Sequence, residues 1–203
     1  MAVPPPSHLS ADPAKPAVRA ALRKARQAHV AALRASGGHE AALGAAAERV
    51  LAHVPAGASV ALYNPFGDEI DPGPLARLLA ERGHPLALPH VAADRTTMRF
   101  LAWHPDHALV TGAFGLNQPH EDAATVAPSL VLTPLVGFDR AGGRIGQGAG
   151  FYDRAFAALP GAMRIGFAWS VQELAHVPLD PWDVPLHAVA TEAEWIVIGE
   201  PAP

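Results

Sequence analysis

Cysteine is absent from the 203 residues. That excludes disulfides, thiolate zinc sites and thiol nucleophiles, and it fits a cytoplasmic protein. No apolar run approaches the roughly 20 residues that a membrane-spanning helix needs. Nor does the N-terminal stretch carry the continuous apolar core of a secretion signal. Basic charge is not in surplus: 15 Lys and Arg against 19 Asp and Glu leave a formal charge of −4. A general nucleic-acid or anionic-membrane binder is therefore not expected. Aromatic residues, 6% of the chain, do not interleave with basic ones, which disfavours an RNA-stacking module. No Gly-x-Ser-x-Gly elbow marks a serine hydrolase. The tight histidine clusters, His104-Pro105-Asp106-His107 and His120-Glu121-Asp122, lack helical His-Glu-x-x-His order and read as surface loops rather than zinc ligands.

What remains is an ordinary soluble composition, half hydrophobic and 17% charged, long enough for one domain with a proper core. Residues Met1 to Pro16 are rich in Pro, Ala and Ser and are predicted to form a disordered tail, with residues 17–203 as the folded domain. From Ala17, apolar residues at 18, 21, 22, 25 and 28 recur at helical spacing, and Arg19, Arg23 and Arg26 form a neighbouring stripe. A second helix is predicted from His39 to His53 and a third from Leu75 to Glu81. Strands are predicted at Ala58–Tyr63, Pro85–Pro89, Leu130–Leu135, Met163–Trp169 and Trp195–Ile198, with an edge strand at Met98–Ala102. His104 to Pro119 reads as loop with short pieces of structure. Strands alternating with helices predict a layered α/β domain with a largely parallel sheet, whose ligands sit beyond the carboxyl ends of the strands.

The most informative stretch is Gly142-Gly143-Arg144-Ile145-Gly146-Gln147-Gly148-Ala149-Gly150-Phe151-Tyr152-Asp153-Arg154. It joins the predicted strand at Leu130 to a predicted helix, Phe151 to Leu159. Glycines let backbone N–H groups wrap an anion, and a helix N-terminus adds its positive dipole end. Arg144 is then placed to reach phosphate oxygens and Asp153 to hold a divalent cation. It is not a P-loop, because no Gly-Lys-Ser/Thr ends it, and the third glycine of a dinucleotide fingerprint would fall on Phe151. A glycine-rich turn alone would be unremarkable on this chain. Two arginines and a carboxylate within it are what point to a nucleotide phosphate cradle.

Together with Gly137-Phe138-Asp139, this stretch resembles the nucleotide motif of the 5-formyltetrahydrofolate cyclo-ligase (methenyltetrahydrofolate synthetase) family. Leu22-Arg23-Lys24, Glu69-Ile70-Asp71, Phe114-Gly115-Leu116-Asn117-Gln118-Pro119 and Pro178 to Leu186, followed by Ala190-Thr191-Glu192, match in order, so the resemblance runs from about Val18 to Ile198. It implies ATP-dependent closure of 5-formyltetrahydrofolate to 5,10-methenyltetrahydrofolate by a monomer, with Mg2+ as cofactor and ATP as co-substrate.

The same resemblance implies the site. ATP would be held by Arg19, Arg23, Arg144, Ile145, Gly146, Gln147, Gly148, Ala149, Gly150, Phe151 and Tyr152, with Arg144 and Tyr152 at the reacting centre. Glu69, Phe114 and Tyr152 would hold the folate, and Asp153 and Asp183 the magnesium ion. Without it, Arg19 and Arg23 would read as a solvated stripe, Glu69 as a loop acid and Phe114 as core. The chain departs from the family at Arg19, where Lys is usual, and at Ala149, His90, Trp182 and His187. Two alternatives remain open: a diverged paralogue using the same ATP site on another substrate, and a non-catalytic folate- or nucleotide-binding protein.

Overall fold

The computed structural model describes residues 15–199. In chain order the elements are α1 (Lys15–Ala35), α2 (His39–Leu51), β1 (Val60–Ala61), α3 (Gly73–Glu81), β2 (Leu86–Val91) and β3 (Met98–Trp103). Then follow β4 (Val110–Thr111), a 3-10 turn at Ala113–Gly115, β5 (Asn117–Gln118), β6 (Leu130–Pro134), β7 (Gly137–Phe138), β8 (Arg144–Ile145) and α4 (Phe151–Ala158). The chain closes with β9 (Met163–Phe167), a 3-10 turn at Ser170–Gln172, β10 (Ala188–Ala190) and β11 (Trp195–Val197).

Seven strands form one sheet in the order β11-β10-β9-β6-β1-β2-β3. Its inner pairs, β10–β9, β9–β6, β6–β1 and β1–β2, are parallel. Both edges, β11 and β3, are antiparallel. The layered, largely parallel sheet expected from the sequence is therefore present, and Met98–Ala102 is the expected edge strand, one residue longer.

Alternation along the central strands sorts the helices to two faces. Val60, Leu62, Leu130 and Leu132 point to one face and pack with Leu43, Ala46 and Val50 of α2, Leu75 and Leu79 of α3, and Val30 of α1. Ala61, Ala87 and Val131 point to the other and meet Ala155 and Phe156 of α4. Covering both faces is what makes these strands read as continuous apolar runs. On β9, Gly166 leaves no room for a side chain: an added Cβ would lie 2.6 Å from Leu135 Cδ1 and 2.9 Å from Leu186 Cδ1. Gly166→Ala is expected to cost about 1–3 kcal/mol by overpacking, read as a lower urea midpoint at an unchanged slope.

The fold departs from the sequence reading in several places, and of the strand expected at Ala58–Tyr63 only Val60–Ala61 is strand. α1 already includes Lys15 and Pro16, inside the stretch taken as tail, and Lys15 is only 4% exposed. Pro16 misled the composition argument, although the first turn of a helix tolerates a proline because its N–H would be unpaired anyway. The rest of the expected tail, residues 1–14, lies outside the described residues. Arg144 and Ile145 are not loop but a strand paired with β7. The three-residue β10, Ala-Val-Ala, was too short to show a period and went unread.

Candidate active site

Tyr63 and Asn64 follow β1, Pro89 and Val91 lie in β2, and Thr133 and Pro134 end β6. These strand ends floor a cavity of about 440 Å³, at the place where parallel α/β sheets take ligands.

One wall is the glycine stretch, and its shape comes from Asp139. This carboxylate, 2% exposed, accepts hydrogen bonds from the N–H groups of Ala141 (3.0 Å), Gly143 (2.8 Å) and Val177 (2.7 Å). A Cβ on Gly143 would sit 2.9 Å from Asp139 Oδ2, so the turn closes only around a glycine. The tight β7–β8 hairpin that results carries Arg144 into the cavity wall. There Arg144 is 7% exposed, and its guanidinium stacks over Phe156 at 5.0 Å and pairs with Asp153 in the first turn of α4. Gly150, at φ 64°, makes the left-handed step that starts α4.

The other wall is α1. Lys15 Nζ lies 2.6 Å from Asp180 Oδ2 and 3.2 Å from Asp183 Oδ2. One turn on, Arg19 Nε donates to the Gly146 carbonyl at 2.8 Å. Arg23 reaches the same loop through Gln147 Oε1 at 2.5 Å, and Gln147 Nε2 donates to Glu69 Oε1 at 3.2 Å. Glu69 also accepts the Phe66 N–H at 3.0 Å and lies 3.9 Å from Arg26.

The structure thus brings Arg19, Glu69, Phe114, the run Arg144 to Tyr152, Asp153 and Asp183 around one cavity. Arg23 is not in its lining; it sits in an adjoining groove with Lys24 and Arg26, touching the cavity only through Gln147. Phe114 is not core: it is 53% exposed at the cavity mouth. Of the departures from the family pattern, Trp182 lines the cavity, whereas His187 hydrogen-bonds Arg164 and lies outside it, as does the buried His90. Sequence reasoning missed Lys15, Asp180 and Thr133. Lys15 could have been found, because it stands four residues before Arg19, hence on the same helical stripe.

Burial dominates the electrostatics. It lifts the Asp153 carboxyl above its ordinary value, with Asp183 adding to the rise and the Arg144 guanidinium opposing it. It pulls Arg144 below its ordinary value, against Asp153 and Asp183. Tyr152 is raised by burial and then by Glu69, so it is a neutral phenol at any working pH. Glu69 is raised by burial, against the Phe66 N–H, Arg26 and Gln147.

Glu69 therefore holds its proton more tightly folded than unfolded. Its contribution to stability is full below the ordinary carboxylate range and is lost as pH rises through the folded value. Melting temperatures of the ligand-free protein taken from about pH 4 to about pH 7 should show Glu69→Gln gaining on the wild type as pH rises. A constant or opposite difference would contradict the burial argument.

The carboxylates suit a magnesium ion, which prefers oxygen and commonly takes one or two carboxylates beside substrate phosphates. Hydrogen bonds to Asp153, from Arg144 and the Val184 N–H, fall on Oδ1. Those to Asp183, from Lys15 and the Asp180 N–H, fall on Oδ2. Each carboxylate thus keeps one oxygen without a hydrogen-bond partner among the described residues. Protein groups alone do not complete a cage: no cluster of three or more potential ligands occurs among the described residues.

Fold and cavity together define a layered α/β protein with a cavity beyond its strand ends and a glycine-rich hairpin carrying Arg144 on one wall. The 5-formyltetrahydrofolate cyclo-ligase family model matches residues 11–192. The chain is 33% identical over 156 residues to the 5-formyltetrahydrofolate cyclo-ligase of Escherichia coli (strain K12), covering 72% of this chain and 83% of that one. It is 34% identical over 151 residues to that of Mycolicibacterium smegmatis, covering 70% and 77%. The NMR structure of Aquifex aeolicus 5,10-methenyltetrahydrofolate synthetase is similar with a TM-score of 0.76 and 26% identity, over 94% of this chain and 95% of that one. The chain belongs to the 5-formyltetrahydrofolate cyclo-ligase family.

Proposed function

We propose that this protein uses ATP to convert 5-formyltetrahydrofolate to 5,10-methenyltetrahydrofolate, releasing ADP and phosphate, as a cytoplasmic monomer. The observation that carries the reading is the convergence of Arg144, Asp153, Asp183 and Glu69 on one cavity beside the glycine hairpin.

The chemistry is phosphoryl transfer followed by ring closure. The formyl oxygen attacks the γ-phosphorus, the bond to ADP breaks, and the formyl carbon becomes an iminium phosphate. N10 then attacks that carbon and loses its proton. The carbon–oxygen bond breaks, and phosphate leaves with its electrons. Because a formyl oxygen is a weak nucleophile, the protein's work is positioning and charge dispersal rather than acid–base catalysis.

Lys15, Arg19 and Arg144 supply fixed positive charge along the polyphosphate, and the N–H groups of Gly146 to Gly150 cradle its oxygens. Asp153 and Asp183 would hold Mg2+, which when bound neutralises phosphate charge and orients the γ-phosphoryl group. Glu69 accepts the paired N–H donors of the pterin amino-pyrimidine edge. Tyr152, a neutral phenol lining the same cavity, packs along the pterin ring at the reacting centre.

Incubating the full chain with 5-formyltetrahydrofolate and magnesium-ATP should give the near-ultraviolet absorbance of the conjugated methenyl product. ADP release without that absorbance would instead favour a paralogue acting on another substrate. ATP binding with no turnover would favour a binding protein. Glu69→Gln should raise KM for the folate about tenfold or more while changing KM for ATP little, as expected when one buried charge-assisted contact is lost.

A further inference from the structure

A closed chain of cation and aromatic contacts borders the cavity. Arg95, in the turn between β2 and β3, stands over the Phe114 ring with its guanidinium carbon 5.2 Å from the centroid. Phe114 meets Phe151 edge to face at 6.2 Å. Arg154 stands over Phe151 at 5.0 Å, and its Nη2 donates to the Thr96 carbonyl at 3.3 Å, back in the turn that carries Arg95. Three segments distant in sequence are joined by this ring, and Phe114, Phe151 and Arg154 line the cavity.

Two further observations mark the ring as built for a ligand. Arg95 (φ 58°) and Phe114 (φ 59°) are the only non-glycine residues at positive φ among the described residues, and they touch each other. Left-handed backbone is uncommon for side chains of this size and persists where the surroundings hold it, often at binding sites. The charges are also uncompensated. Arginine ion pairs among the described residues fall on Arg26, Arg34, Arg140 and Arg144, and none on Arg95 or Arg154. The neighbouring acids are committed elsewhere. Asp94 accepts from the N–H groups of Thr96 (2.8 Å) and Thr97 (3.0 Å) and from the Thr97 hydroxyl (2.8 Å), and Asp153 pairs with Arg144.

Two guanidinium groups with no ion pair among the described residues, above two aromatic faces, fit an aryl group followed by carboxylates, since arginine both stacks on rings and grips carboxylates in a fork. We propose that this ring determines specificity for the carboxylated end of the substrate. Its aryl group packs against the exposed Phe114 and its neighbour Phe151, and Arg95 and Arg154 bind the carboxylates beyond. The inference rests on the cyclo-ligase reading, whose substrate carries a 4-aminobenzoyl group joined to glutamate, and it adds two arginines to that site.

The test compares wild type with the Arg95→Gln/Arg154→Gln double variant, both as full chains. In turnover, KM for 5-formyltetrahydrofolate relative to its analogue lacking the glutamate should lose about fivefold to tenfold of its preference in the variant. An unchanged preference, or a rise confined to KM for ATP, would overturn the proposal. Equilibrium binding of N-(4-aminobenzoyl)-glutamate against its diethyl ester gives a second readout without turnover. Wild type should favour the acid, and the variant should not. Equal discrimination by both proteins would overturn the ring's role. Should wild type make no methenyl product, the cyclo-ligase reading fails while this binding comparison still judges the arginines.

Discussion

Asp153→Ala should abolish magnesium-dependent turnover and also destabilise the protein. Its carboxylate has two partners, and the effects separate. The oxygen without a hydrogen-bond partner among the described residues is one of two proposed to hold the magnesium ion, so its loss removes phosphate orientation. Toward the protein, Oδ1 pairs with Arg144, a residue only 7% exposed. Removing one member of a buried pair strands the other, at a cost of about 3–5 kcal/mol. A test of function alone therefore needs Asp153→Asn, which preserves the shape and a hydrogen-bond acceptor. Equilibrium unfolding and steady-state kinetics on both variants should show a large stability loss for Ala, a smaller one for Asn, and lost turnover in each. Normal kinetics in Asp153→Asn would refute the metal role and leave only the structural one.

Arg144→Ala is expected to weaken ATP by about 2–4 kcal/mol, the range for truncating a desolvated, charge-assisted contact. Hairpin geometry makes this the strongest phosphate contact proposed. Asp139 fixes the turn, the turn fixes the strand, and Phe156 and Asp153 fix the guanidinium. Little conformational freedom remains to be lost on binding. Arg144→Lys separates charge from shape: it keeps the positive charge but not the planar fork, and should recover only part of the loss. Isothermal titration with magnesium-ATP would read both. Affinity within twofold of wild type in Arg144→Ala would show that the loop's N–H groups suffice without it.

The large apolar runs at Ala58–Tyr63 and Leu130–Leu135 were legible because strands buried on both faces carry their signal in every residue. The glycine-rich wall of the cavity was legible because its glycines and charges are consecutive. What escaped depends on contacts between distant segments. Lys15 looked like tail because Pro and Ala surround it; its burial follows from Asp180 and Asp183, 165 and 168 residues away. Arg23 stands on the same helical stripe as Arg19, but the helix turns it to the neighbouring groove, which one-dimensional spacing does not resolve. Phe114 has the chemistry of a core residue, and only its positive φ and its neighbours Arg95 and Phe151 place it at the mouth. Arg95 carried no motif at all, and Arg154 was legible only as the end of the glycine stretch, with nothing to set it beside Arg95.

The account stands on phosphoryl transfer to the formyl oxygen within this cavity, and isotope tracing tests it most directly. With 18O in the formyl group of 5-formyltetrahydrofolate, turnover by the wild-type protein should deliver the label to inorganic phosphate, one labelled oxygen for each ADP formed. Label recovered in water, with unlabelled phosphate, would contradict it.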